Sequence, residues 1–311
     1  MTTTRDPFGG DDGAHPATPG SYGLRPEGGH LPDATRLGAV RLQVADLERS
    51  LAFYGLLLGM RELRRDAARV VLAAQGDDRA LVELRARPGA AAAGRAARLG
   101  LYHVALLLPD RAVLGALVGH LAAEGVRLGA GDHLVSEAFY LSDPDGLGIE
   151  VYADRPRNAW RRVGRELMMA TDPVDVDGVL AAAEGRPWAG LAAGTSVGHV
   201  HLQVGDLARA NAFYGDGLGF DRMVWSYPGA SFFGAGGYHH HLGANTWAGP
   251  GARPAGADDA RLLEWTIEVP AASDLAAVEA RLAERGFAAR RDGADVVVDD
   301  PWGTTVRLRA A

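Results

Sequence analysis

Ala39-Val-Arg-Leu-Gln-Val-Ala-Asp-Leu-Glu-Arg-Ser-Leu-Ala-Phe-Tyr54 returns further along the chain as His199-Val-His-Leu-Gln-Val-Gly-Asp-Leu-Ala-Arg-Ala-Asn-Ala-Phe-Tyr214, an offset of 160 residues from position 39 to position 199. Each copy opens with period-two alternation (Val40, Leu42, Val44; Val200, Leu202, Val204), the signature of a half-buried strand. Asp46 and Asp206 then stand where a helix N-cap belongs, and Gly59 and Gly219 follow as stop signals. Two weaker copies complete the pattern. Leu101-Tyr-His-Val-Ala-Leu-Leu-Leu108 precedes a helix expected over about 110–124 that stops at Gly125. Leu262-Leu-Glu-Trp-Thr-Ile-Glu-Val269 precedes a helix expected over about 273–285 that stops at Gly286. The steps from 39 to 103 and from 199 to 264 are 64 and 65 residues, so the chain reads as four similar units.

Short strands with turn signals follow each helix. Phe139-Tyr-Leu is followed by Asp143-Pro-Asp-Gly146 and Ile149-Glu-Val-Tyr152; Val296-Val-Val is followed by Asp299-Asp-Pro-Trp-Gly303 and Thr305-Val-Arg-Leu308. Pro fixes φ and Gly supplies a positive φ, so these are turns with a mechanism. The unit is βαβββ and the fold class α+β.

The chain of 311 residues carries 32 basic and 39 acidic side chains, a net charge of −7, which argues against a phosphate-backbone partner. Every basic residue is Arg, and Cys is absent. Thiol nucleophiles, disulfides and cysteine metal sites are thereby excluded, as are lysine Schiff bases. No run of about 18 apolar residues marks a membrane span. Residues 1–35 are rich in Gly, Pro and Asp and read as a disordered tail; 36–153 form a first half, 154–196 a linker with a short helix near 174–183, and 197–311 a second half. Without cysteine or a signal segment, the expected location is cytoplasmic.

Apart from His15 and His30 in the tail and His120 on the unit-two helix, the histidines are His103, His133, His199, His201, His239, His240 and His241, all in units two and three. At one position of the first strand the four units carry Ala39, His103, His199 and Glu264. At the matching position of the last strand they carry Glu83, Glu150, roughly His240, and Arg307. His103, His199 and Glu150 form a two-histidine, one-carboxylate set that leaves one face of a divalent ion open, as suits non-haem Fe(II). That set assembles only if unit two packs against unit three and unit one against unit four. Units one and four read as scaffold, and Met168 and Met169 as packing residues.

These residues carry a resemblance. The repeats, together with Asp132-His-Leu-Val-Ser-Glu137, Gly148-Ile-Glu-Val-Tyr152, Gly198-His-Val-His-Leu202 and Gly236-Gly-Tyr-His-His-His-Leu242, resemble the vicinal oxygen chelate superfamily, and within it the extradiol ring-cleaving dioxygenases. The resemblance implies two cup-shaped half-barrels of paired modules, with modules two and three around the metal. It implies Fe(II), with Mn(II) as the other candidate, held by His103, Glu150 and His199. His240, aligned on the following Leu242, would be the histidine that moves protons beside the metal. His133 and Tyr140 would be the pocket histidine and tyrosine, with His239, His241 and His201 as further pocket residues. The implied reaction is meta cleavage of a catechol by O2, with no nucleic-acid or membrane partner and with assembly into a homo-oligomer. The rival readings are a glyoxalase-type metal-dependent isomerase and a non-catalytic ligand-binding member of the superfamily.

Overall fold

The computed structural model describes residues 13–94 and 98–311. In the strand Arg36–Val44, Val40, Leu42 and Val44 are buried while Ala39 and Arg41 are half-buried on the other face, as the alternation requires. The equivalent strand Ser196–Gln203 buries both faces, the second one carrying His199 and His201.

The first strands pair across the repeat. Arg98–Leu107 of unit two runs antiparallel to Ser196–Gln203 of unit three, and Arg36–Val44 of unit one runs antiparallel to Arg261–Val269 of unit four. The last strand of each unit then lies parallel beside its own first strand: Ala80–Ala86, Gly148–Asp154, Leu242–Asn245 and Thr305–Ala310. Two curled sheets result, one from units two and three and one from units one and four. The pairing required to assemble His103, His199 and Glu150 is the pairing observed.

Asp46, Asp110 and Asp206 each accept the backbone N–H three residues on, at 3.0, 2.8 and 2.7 Å, which starts the helices at the expected positions. In units two and four the helices are regular, Arg111–Ala123 and Ala272–Glu284. In units one and three they open into π turns after one α turn, Ala52–Leu57 and Asn211–Gly217. Each π turn carries the Phe-Tyr pair of the repeat. The Tyr54 hydroxyl donates to Asp143 Oδ2 at 3.1 Å, and the Tyr214 hydroxyl to Asp300 Oδ2 at 2.6 Å. The other oxygen of each aspartate accepts two backbone N–H groups of its own Asp-Pro turn. Sheets therefore join unit two to three and one to four, while tyrosine–aspartate bonds join one to two and three to four.

Part of the expected tail is structured. Residues 15–16 pair with Arg161–Val163, Leu24 bridges to Arg222, and Tyr22 and Leu31 are buried. Apolar Tyr22 and Leu31 have a surface to bury against, which overrides the Gly/Pro-rich composition; residues 1–12 lie outside the described residues. The segment expected as a linker also carries structure: Arg161–Val163 and Glu166–Leu167 extend that small sheet, and Val176–Ala182 forms the short helix.

Tyr214 and Asp300 are both buried, so removing the phenol leaves an acceptor without its partner. Tyr214→Phe is expected to cost about 1–3 kcal/mol, read as a lower urea midpoint at unchanged slope. An unmoved midpoint would show that the bond adds nothing.

Candidate metal centre and its cavity

His103 stands on the first strand of unit two, His199 on the facing strand of unit three, and Glu150 on the parallel strand beside His103. Glu150 Oε2 lies 2.9 Å from His103 Nε2 and 3.2 Å from His199 Nε2. One ligand atom from each of the three residues falls within 4.8 Å of the others, and all three side chains are buried. His103 Nε2 approaches the carboxylate without hydrogen-bond geometry and has no other partner. A buried nitrogen aimed at a shared point but bonded to nothing is costly in a finished core and is what a ligand atom looks like. The donor set of two imidazoles and one carboxylate therefore fits a divalent ion.

Burial drives His199 down to about 4 against the pull of Glu150, so the imidazole is neutral near pH 7. Burial raises Glu150, but His199 and His103 outweigh it and hold the carboxyl well below its ordinary value. A neutral His199 nitrogen beside an ionised Glu150 oxygen is the protonation state that a metal needs.

These residues line a cavity of about 170 Å³. His133, Tyr140, His201 and His240 also line it. Tyr140 lies directly across the sheet from Glu150, and its hydroxyl is 2.5 Å from His133 Nε2. His133 Nδ1 is 2.7 Å from the Ala170 carbonyl, so Nδ1 carries the proton and Nε2 accepts from the phenol. Burial and the Glu150 charge push the Tyr140 phenol well above its ordinary value, keeping it a donor.

Two of the expected pocket residues lie elsewhere. His239 is wholly enclosed and bonds Asp154 and His240 behind the cavity wall. His241 turns to the opposite side, where its Nδ1 accepts from the Ala235 N–H at 3.2 Å. The chain bends at His239 and His241, so the three side chains diverge and the middle histidine is the one that lines the cavity.

The strand register also corrects one equivalence. Arg41 pairs with Glu83 in unit one, and His201 pairs with Gly243 in unit three, so Gly243 rather than His240 occupies the place of Glu83. A Cβ at Gly243 would lie 2.8 Å from the His201 ring, so only glycine leaves room for that histidine. In units one and four the mirror position is closed by ion pairs: Arg41 to Glu83 and Glu264, and Arg307 to Glu264, Asp292 and Asp295.

Other lining residues were not singled out from the sequence. Tyr102, Tyr227, Phe232 and Trp247 supply aromatic walls, and Met169, Ala170 and Thr171 supply one rim. Met169 is thus a pocket residue as well as a packing one. Tyr102 stands on the strand Arg98–Leu107 and Phe232 on the strand Ala230–Gly234, whereas Tyr227, Trp247 and residues 169–171 come from loops that carry no repeat signal.

The buried imidazoles make stability depend on pH. Burial lowers His199 to about 4 and His241 to about 3, and holds His201 and His240 well below their ordinary value. Unfolded, these four bind protons near pH 6.5, so stability is full above that pH and is lost as pH falls below it. Asp143, raised to about 6 by burial, and Asp221 and Asp300, also raised by burial, act in the opposite sense and offset part of this. The urea midpoint of the metal-free protein is expected to fall between pH 7.5 and pH 5; a flat profile would contradict the neutral, buried histidines.

The family model of the Glyoxalase/Bleomycin resistance protein/Dioxygenase superfamily matches residues 36–151 and 196–308. The chain is 43% identical over 271 residues to a protein named catechol-2,3-dioxygenase from Bacillus subtilis (strain 168), covering 86% of this chain and 94% of that one. Its fold is similar to that of glyoxalase I from Zea mays, with a TM-score of 0.54, 20% identity and coverage of 88% and 92%. It is also similar to that of the cppA protein from Streptococcus pneumoniae TIGR4, with a TM-score of 0.52, 12% identity and coverage of 89% and 97%. Four βαβββ units paired two with three and one with four, together with a match across both halves, place this chain in the glyoxalase, bleomycin-resistance protein and dioxygenase superfamily.

Proposed function

We propose that the protein is an extradiol dioxygenase that opens an uncharged catechol ring beside its two hydroxyls with O2. The observation that carries this reading is the convergence of His103, His199 and Glu150 at one end of an aromatic-walled cavity. The 43% identity to a protein named catechol-2,3-dioxygenase supports the same chemistry. His103, Glu150 and His199 would hold Fe(II), which when bound offers open positions to both catechol oxygens and the electrons that let ground-state O2 react.

The chain's own residues do the rest. Tyr140, kept protonated, donates to His133 Nε2, which turns its oxygen to accept from a substrate hydroxyl. His240, whose ring centre is 4.1 Å from that of His199, is placed to accept a substrate proton. Tyr227, Phe232 and Trp247 pack the ring and exclude water. Glu150 is the one carboxylate among the described lining residues, which disfavours the carboxylate-rich isomerase chemistry of the glyoxalase reading.

No Arg is among those lining residues, so nothing there neutralises an acidic substituent. Catechol is therefore expected to be turned over in preference to a carboxylate-bearing catechol by about tenfold or more, since an unpaired buried charge costs more than about 1 kcal/mol. Comparing kcat/KM for the two checks this, and equal values would remove the charge argument.

No helix among the described residues is long and apolar enough to cross a membrane. We place the protein in the cytoplasm and treat the units of the two halves, 36–153 and 197–311, as one catalytic body.

The direct test is anaerobic loading with Fe(II), then catechol in air. A yellow ring-opened product and O2 uptake are expected, with both lost in His199→Ala together with a metal affinity lowered by about 100-fold or more. Stoichiometric metal uptake with no O2 consumption across a panel of catechols would overturn the reading.

A further inference from the structure

Behind the cavity wall lies a chain of polar groups that the reaction as described does not use. Asp154, the last residue of the strand Gly148–Asp154, accepts from His239 Nε2 at 2.8 Å and from the Tyr238 hydroxyl at 3.3 Å. The Tyr152 and Tyr238 hydroxyls are 2.7 Å apart. His239 Nδ1 and His240 Nδ1 are also 2.7 Å apart, and His240 forms part of the cavity wall.

Two ring nitrogens at that distance share one proton, so one must donate and the other accept. The direction is set at the far end. Asp154 Oδ1 is the common acceptor of the Tyr238 hydroxyl and His239, which puts the proton of His239 on Nε2. His239 is 0% exposed and packs against the rings of Trp160 and Tyr238, and with its proton on Nε2 the ring has a bare Nδ1. His240 must then donate from Nδ1, and its Nε2 is left without a proton.

We propose that Asp154 is a positioning residue that acts through His239 to fix the tautomer of His240, so that His240 presents an unprotonated Nε2 to the cavity. A bare Nε2 is a proton acceptor; the opposite tautomer would offer a donor and could not take a proton from a catechol hydroxyl. The use of that acceptor rests on the ring-cleavage reading, whereas the tautomer itself does not. The structural logic is that of an orienting carboxylate behind a catalytic imidazole, with a second imidazole inserted between them.

The test is long-range 15N–1H correlation spectroscopy of the full-length protein labelled at histidine, with diamagnetic Zn(II) in place of iron. His240→Gln assigns the resonance by removing it. The wild type is expected to show His240 with a protonated Nδ1 and a bare Nε2. In Asp154→Asn, a carboxamide can donate to His239 Nε2 and reverse the chain, so the His240 signal is expected to shift toward an Nε2-protonated form. With Fe(II), kcat for catechol is expected to fall about 10- to 100-fold at unchanged metal content. A protonated Nε2 on wild-type His240 overturns the proposal, and that spectrum decides even if the variant fails to fold. An unchanged tautomer in a folded Asp154→Asn overturns it as well. If the tautomer is as expected but catechol is not cleaved, the proposed function fails and the positioning role stands.

Discussion

One carboxylate group organises this molecule. Glu150 is buried within about 3 Å of two imidazole nitrogens that come from different halves of the chain. Burying a carboxylate is costly unless charge or metal meets it, and three strands in one sheet must stay in register to keep those atoms together. The antiparallel seam between Arg98–Leu107 and Ser196–Gln203 does this, with its local irregularities beside His199 and His201 setting how the two histidines face inward. Everything outward from the seam, including the aromatic walls and the polar chain behind His240, is hung on that register.

The mirror seam shows what the same backbone does with other side chains. Glu264 takes the strand position of His103, Arg307 that of Glu150, and Arg41 that of His201. Arg307 reaches three carboxylates and is held charged by them. Where one sheet concentrates neutral nitrogens around a carboxylate, the other fills the same hollow with guanidinium and carboxylate partners that satisfy each other. The duplicated fold keeps the geometry and changes the chemistry.

Much of this was legible in the residues. The repeat specified the strands, caps and stops because alternation, Asp caps and positive-φ glycines are local signals, and the positions of His103, Glu150 and His199 required the crossed pairing of units. The cavity walls were not legible, because Trp247, Tyr227 and Met169 converge from segments that share no periodicity. The triple histidine shows the limit well. Spacing nominated all three, but only the packing of His239 on Trp160 and of His241 beside Ala235 sorts wall from interior. The ordered stretch after residue 12 was hidden by its composition, since Tyr22 and Leu31 are two apolar contacts in a run of turn formers.

The crossed pairing also imposes an order of events on a chain made from its N-terminus. The seam bearing Glu150 joins strands of neighbouring units and can close once residue 203 has emerged. The other seam ties Arg36 to Glu268, 232 positions away, so unit one must wait for nearly the whole chain. Its strand edge stays open in the meantime, an unprotected template for wrong partners. Closing so long a loop adds little to the equilibrium cost but much to the time required. In the tyrosine–aspartate bond between units one and two, the fold has a means of parking that waiting unit against its neighbour until its true partner arrives.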